Sequence, residues 1–128
     1  MKNVKQTIIV RKDLKMQKGR MASVVSQASM KFLIENNEAE RGDEIRVRLS
    51  QQEAEWINSS FSRSVLSVDS QEALKDIAFK CEMSGIDVYY VFDDKELNEG
   101  EIRELLSISL GPDEEDLIEQ VVGSLKSV

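Results

Sequence analysis

Apolar residues along this chain come in short runs that alternate with helical stripes. Thr7-Ile8-Ile9-Val10 is rich in β-branched residues and reads as a buried strand. Farther on, Met21, Val24, Val25, Ala28 and Phe32 fall mostly at steps of three or four. That spacing predicts a helix over Met21 to Ile34 with one apolar face. Residues 36–44 read as an exposed connection: Asn36-Asn37-Glu38 ends the helix and Glu40 to Glu44 makes a turn. Ile45-Arg-Val-Arg-Leu49 alternates apolar and basic residues, the pattern of a short half-exposed strand. It either adds cations to a binding surface or is an ordinary edge strand, where Arg discourages edge pairing.

Ser50 followed three residues later by Glu53 is a capping box. It opens a short helix to about Asn58 that buries Trp56 or Ile57, with Trp56 read as core. Ser64 to Val68 is a further strand. Asp69 or Ser70 caps the next helix, whose buried face carries Ala73, Leu74, Ile77, Ala78 and Cys81 and which Gly85 ends. Ile86 to Phe92 is a strand that runs straight into Asp93-Asp94. Glu104 to Leu110 is the last strand, and Gly111-Pro112 breaks it. Acidic residues from Asp113 to Asp116 then suit the first turn of a final helix with the stripe Leu117, Ile118, Val121 and Leu125. Strands alternating with helices predict an α/β fold: a mixed β-sheet of about four strands with helices on both faces. Mixed pairing is expected because Phe92 to Glu104 is short for a helical crossover. The length suits one domain over residues 1–128.

Chemistry concentrates between the first strand and the first helix, in Arg11-Lys-Asp-Leu-Lys-Met-Gln-Lys-Gly-Arg-Met-Ala22. Residues 1–20 hold seven Lys and Arg against one Asp, a charge of +6, while the chain as a whole carries −7. The rest is therefore strongly acidic, which argues against a nonspecific nucleic-acid coat and permits one local phosphate contact. A helix N-terminus adds outward-pointing amides to the charges of Lys15, Lys18 and Arg20. The polar stripe Arg20, Ser23, Gln27 and Lys31 extends this surface along the helix. Taken alone, such a loop is more often a solvated cationic surface. The P-loop and dinucleotide-binding spacings are absent. There is no histidine, which excludes His-based catalysis and His metal sites. The one cysteine, Cys81, sits on an apolar stripe and is expected to be core. A chain without an internal disulfide suits a cytoplasmic location, and no run is apolar enough for a membrane span.

The Arg11–Ala22 stretch resembles the opening motif of the archaeal and eukaryotic type of peptidyl-tRNA hydrolase, R-x-D-L-K-M-G-K-G-K-[IV]-A-A-Q-x-x-H-A. Gly111-Pro112, Leu117-Ile118, Val121, Gly123, Leu125 and Lys126 are similar to that family's closing G-P-x-x-x-x-[LI]-I-D-x-V-T-G-x-L-K. Counting back from Gly111-Pro112 without gaps sets Asp94 on the aspartate of the family's D-A-G-x-T segment. Gln17, Arg20, Val24, Gln27, Lys95-Glu96, Asn98 and Leu106 depart from the family's residues. The resemblance implies hydrolysis of the ester between peptide and tRNA, with peptidyl-tRNA as substrate, no cofactor, no metal and a homodimer as an expected assembly. It implies that Asp94 orients or activates water and that Lys18 and Arg20 stabilise developing negative charge or hold the terminal phosphate, with Asn98 as a donor in place of threonine. Lys12, Lys15, Lys18, Arg20, Gln27 and Lys31 would contact tRNA. The alternative is a noncatalytic tRNA- or protein-binding module on the same fold.

Overall fold

The computed structural model describes residues 3–35 and 37–128, with residues 37–41 described as backbone. Its elements in chain order are β1 (Val4–Arg11), α1 (Lys18–Glu35), β2 (Asn37–Arg41), β3 (Glu44–Val47), α2 (Gln51–Asn58), β4 (Arg63–Val68), α3 (Gln71–Met83), β5 (Val88–Phe92), β6 (Leu105–Glu114), α4 (Glu115–Val122) and β7 (Lys126–Ser127). Five strands form one sheet in the order β5-β6-β1-β4-β7, and β2 pairs with β3 in a separate two-stranded ribbon. β1 and β4 are parallel, while β6 runs antiparallel to both β1 and β5. The C-terminal ends of β1, β4 and β5 therefore lie along one edge of the sheet. Sites in α/β sheets form at such an edge.

The period of two along β1 assigns its residues to two cores. Ile9 packs with Leu74, Ala78 and Cys81 of α3 and with Ile118 and Val122 of α4. Ile8 and Val10 pack on the other face against Val24 and Ala28 of α1. A third cluster joins Phe32 of α1 to Trp56 of α2, Val4 and Tyr89. The buried Gln6 fixes the height of α1: its Nε2 donates to Ser29 O at 2.8 Å and its Oε1 accepts from Ser29 Oγ at 2.7 Å. Cys81 is fully buried, and burial pushes its thiol up to about 11, so it is a core residue as expected. Trp56 is the buried member of the Trp56–Ile57 pair, and its Nε1 donates to Ser62 O at 2.6 Å.

The capping box at Ser50 and Glu53 is formed on both sides, and Ser70 rather than Asp69 caps α3 through a bond from Ala73 N. The mixed α/β sheet is as expected, with five strands where about four were expected, because the chain's end returns as β7 beside β4. Two expectations need correction. Gly111-Pro112 does not break the last strand: β6 runs through it, with the Gly111-Pro112 peptide cis and Gly111 at φ +79°. Residues 37–41 are a strand rather than a connection, since a tight turn at Gly42-Asp43 folds them onto β3. The expected end of the first helix at Asn36 lies outside the described residues. No helix among the described residues is long and apolar enough to cross a membrane.

Candidate active site

The loop after β1 is held from below by Arg11. Its side chain is buried, and it forks onto Asp13 with Nε–Oδ1 at 3.1 Å and Nη2–Oδ2 at 2.7 Å. Its Nη1 donates to Leu105 O at 3.2 Å and lies 3.8 Å from the Glu104 carboxylate. One guanidinium thus ties the loop to the start of β6. The bidentate hydrogen bonds hold the Asp13 carboxyl below its ordinary range and raise Arg11 further. Lys12 and Lys15 ride on this anchored turn as exposed side chains, with Lys15 at φ +50°.

α1 begins at Lys18, which is exposed. Two residues on, Arg20 reaches across the edge to the turn after β5: Arg20 Nη2 lies 3.3 Å from Asp93 Oδ2. The basic helix start and the acidic turn, 73 residues apart in sequence, meet here. Asp93 is the more enclosed partner, with its side chain 14% exposed against 53% for Arg20. Its other oxygen accepts from Lys95 N at 3.1 Å, and Arg103 Nη1 donates to Asp93 O at 2.8 Å and to Lys95 O at 3.3 Å. These bonds shape the Asp93–Lys95 turn from both sides.

Beside this pair runs an open cleft of about 380 Å³ lined by Gln27, Lys31, Tyr90, Phe92, Asp93, Asp94 and Arg103, among others. Asp94 is exposed and has no ion pair among the described residues. Carboxylates and cations face the same space, a combination suited to orienting water near a phosphate-bearing substrate. Of the residues singled out from the sequence, Gln27, Lys31 and Asp94 line this cleft, and Arg20 joins it through Asp93; Lys18, the first residue of α1, is not among the lining residues. Asn98 is not among the lining residues; its Nδ2 donates to Glu101 Oε1 at 2.7 Å within the following turn. Lys12 lines a different cleft, beside β4.

Sequence reasoning missed two residues here. Asp93 rather than Asp94 carries the ion pair with Arg20. Arg103 had a visible signal, as one of two cations in the acidic stretch from Asp93 to Glu104. Nothing local to the sequence tells Asp93 from Asp94, because the register shifts between Val91 and Phe92 where β5 pairs with β6.

The fold and the site together define an α/β domain with a mixed sheet whose edge sets a cationic helix start against an acidic turn. The chain belongs to the peptidyl-tRNA hydrolase family: the family model described as Peptidyl-tRNA hydrolase PTH2 matches residues 4–128. Its relatives include a peptidyl-tRNA hydrolase from Nanoarchaeum equitans, 34% identical over 96% of this chain and 97% of the relative. A peptidyl-tRNA hydrolase from Methanothermobacter thermautotrophicus is 30% identical over 96% and 98%. One from Haloquadratum walsbyi is 28% identical over 95% and 97%.

Proposed function

We propose that this chain hydrolyses the ester bond between the peptide and the tRNA of peptidyl-tRNA. The observation that carries the reading is the meeting of Arg20 with Asp93 beside a cleft lined by Asp94, in a chain whose family is that of hydrolases acting on this ester. Water adds to the ester carbonyl, the bond to the ribose oxygen breaks, and that oxygen takes up a proton. The reaction balances with water alone and calls for no cofactor.

In this reading Asp94, exposed and without an ion pair among the described residues, orients the water and accepts its proton. Lys18 and Arg20 face the negative charge that develops on the carbonyl oxygen or hold the terminal phosphate. Asp93 is a positioning residue that holds the Arg20 guanidinium, and Arg103 holds the turn bearing both aspartates. Gln27 and Lys31 extend the binding surface along α1, and Lys12 and Lys15 track the acceptor stem. Asn98, turned to Glu101, braces its own turn rather than donating to substrate. The setting is the cytoplasm, where peptidyl-tRNA arises, and a homodimer is the expected assembly, to be read from the mass in solution.

The test is turnover of purified peptidyl-tRNA, with Lys18→Ala and Asp94→Ala beside the native chain. Native cleavage well above buffer, with each variant slowed on the order of 10²-fold or more, is expected. No cleavage above buffer overturns the reading and favours a noncatalytic module.

A further inference from the structure

Lys12 and Lys126 come from opposite ends of the chain and line one cleft of about 370 Å³ at the C-terminal end of β4. Their backbones explain the convergence. Lys12 N donates to Val68 O at 2.8 Å, which draws the loop after β1 onto the end of β4. Lys126 sits in β7 opposite Ser67, whose Oγ donates to Lys126 O at 3.3 Å. The two lysines thus flank β4 from its two neighbouring strands. Neither ammonium has an ion pair among the described residues. Ser124 brings a further hydroxyl, and Asp69 the cleft's one carboxylate. Two cations against one anion leave a local positive charge in a chain whose total is −7. Ser70 already caps Ala73 N at the start of α3 and Ser67 Oγ already donates to Lys126 O, so the two lysines and the Ser124 hydroxyl supply the donors.

This cleft is not the one that holds Asp94. The end of β4 lies three strands along the sheet from the end of β5. At about 4.8 Å per strand step those two strand ends are about 14 Å apart along the sheet, and the clefts are lined from different layers, the one from α3 and the other from α1. That spacing is several times the axial step of about 3.4 Å between successive charges on one strand of a stacked duplex, so a phosphate held here is not the one held beside Asp94.

We infer that the Lys12–Lys126 cleft is a second phosphate site, which grips a backbone phosphate of the tRNA several nucleotides from the scissile ester. The inference rests on the function proposed above and extends it to residues at the chain's end. Lysine suits the task as a compact charge with three donors that tolerates a phosphate in varied orientation. Gripping the tRNA at two points along one edge fixes its direction over the sheet and so presents the 3′ end to Asp94.

The experiment titrates deacylated tRNA into the full chain and into Lys126→Ala, Lys126→Arg, Ser124→Asp and Lys18→Ala, at salt from 50 to 200 mM, by fluorescence anisotropy. Loss of one phosphate contact reduces the log–log salt slope by about 0.7–0.9. Over that fourfold salt range, Lys126→Ala should therefore lose about threefold less affinity than the native chain does. Lys126→Arg should keep the native slope, and Ser124→Asp should weaken binding throughout. Native slopes in Lys126→Ala together with native affinity in Ser124→Asp, while Lys18→Ala still weakens binding, would overturn this site and leave the proposed function standing. No retention of tRNA by the native chain even at 50 mM overturns both.

Discussion

Removing the Arg11 guanidinium tests whether the basic loop is held in place or merely drifts at the surface. Arg11→Met keeps an apolar stem of similar length and deletes every donor. It strands the Leu105 carbonyl, which Arg11 meets at 3.2 Å, and leaves Asp13 without its fork. Removing one member of a buried ion pair costs about 3–5 kcal/mol. The Asp13 side chain is 33% exposed and regains water, which lowers the expected cost to about 2–3 kcal/mol. A 128-residue chain has an unfolding entropy of about 0.27 kcal/mol/K near 60 °C, so Tm should fall by about 7–11 °C. Asp13→Asn should cost only about 1 kcal/mol, because Arg11 keeps Leu105 O and Glu104. Thermal melts by circular dichroism and calorimetry read both numbers. The loop carries Lys12 and Lys15, so tRNA affinity should fall with the clamp at temperatures where Arg11→Met is still folded. A melt within a degree of the native chain refutes the reasoning, as does a loss in Asp13→Asn equal to that in Arg11→Met.

Two further outcomes follow from single residues. Gly111 adopts φ +79°, and an added Cβ would lie 2.4 Å from Asp113 N, whereas Gly85 at φ +80° faces open space. Gly111→Ala should therefore cost more than Gly85→Ala, for which about 1–3 kcal/mol of backbone strain is expected; urea unfolding midpoints make the comparison, and equal losses contradict it. Acid acts on two carboxylates in opposite senses. The Arg11 hydrogen bonds hold Asp13 below its usual value, so its contribution is complete above about pH 3.9 and is lost as pH falls through its folded value. Burial pushes Asp113 up, so its contribution is present at low pH and is lost as pH rises through its raised value. Asp13→Asn should flatten the acid limb of a stability–pH profile and Asp113→Asn should steepen it; two parallel limbs would refute the assignment.

The β-branched run Thr7–Val10 and the helical steps from Met21 were enough to find β1, α1 and the edge where they meet, because the run reflects burial on both faces of the sheet and the steps burial on one face of the helix. The Ser50–Glu53 box and the Ser70 region marked helix starts for the same local reason: a side chain caps its own backbone. What escaped depends on partners far along the chain. Lys126-Ser127 is a strand only because β4 offers it an open edge, and a two-residue pairing leaves no periodicity. β6 carries on past Gly111-Pro112 because β1 continues beside it, pairing Val4 with Glu114 and Lys5 with Asp113. The same holds in the site. The basic loop was legible from charge density, and Asp94 from counting along a motif. Which of two adjacent aspartates turns toward Arg20 is decided by a register shift against β6, and no spacing within Phe92-Asp93-Asp94 records it.

On the function proposed here, the start of α1 and the turn after β5 work as one site on the ester. Single-turnover cleavage of peptidyl-tRNA with enzyme in excess, measured for Arg20→Ala, Asp93→Ala and the double variant, tests it most directly. Each single change should slow cleavage substantially, and the double variant should be little slower than the worse single, as for groups that act as a unit. Two independent losses that multiply, or native rates in all three variants, would contradict it.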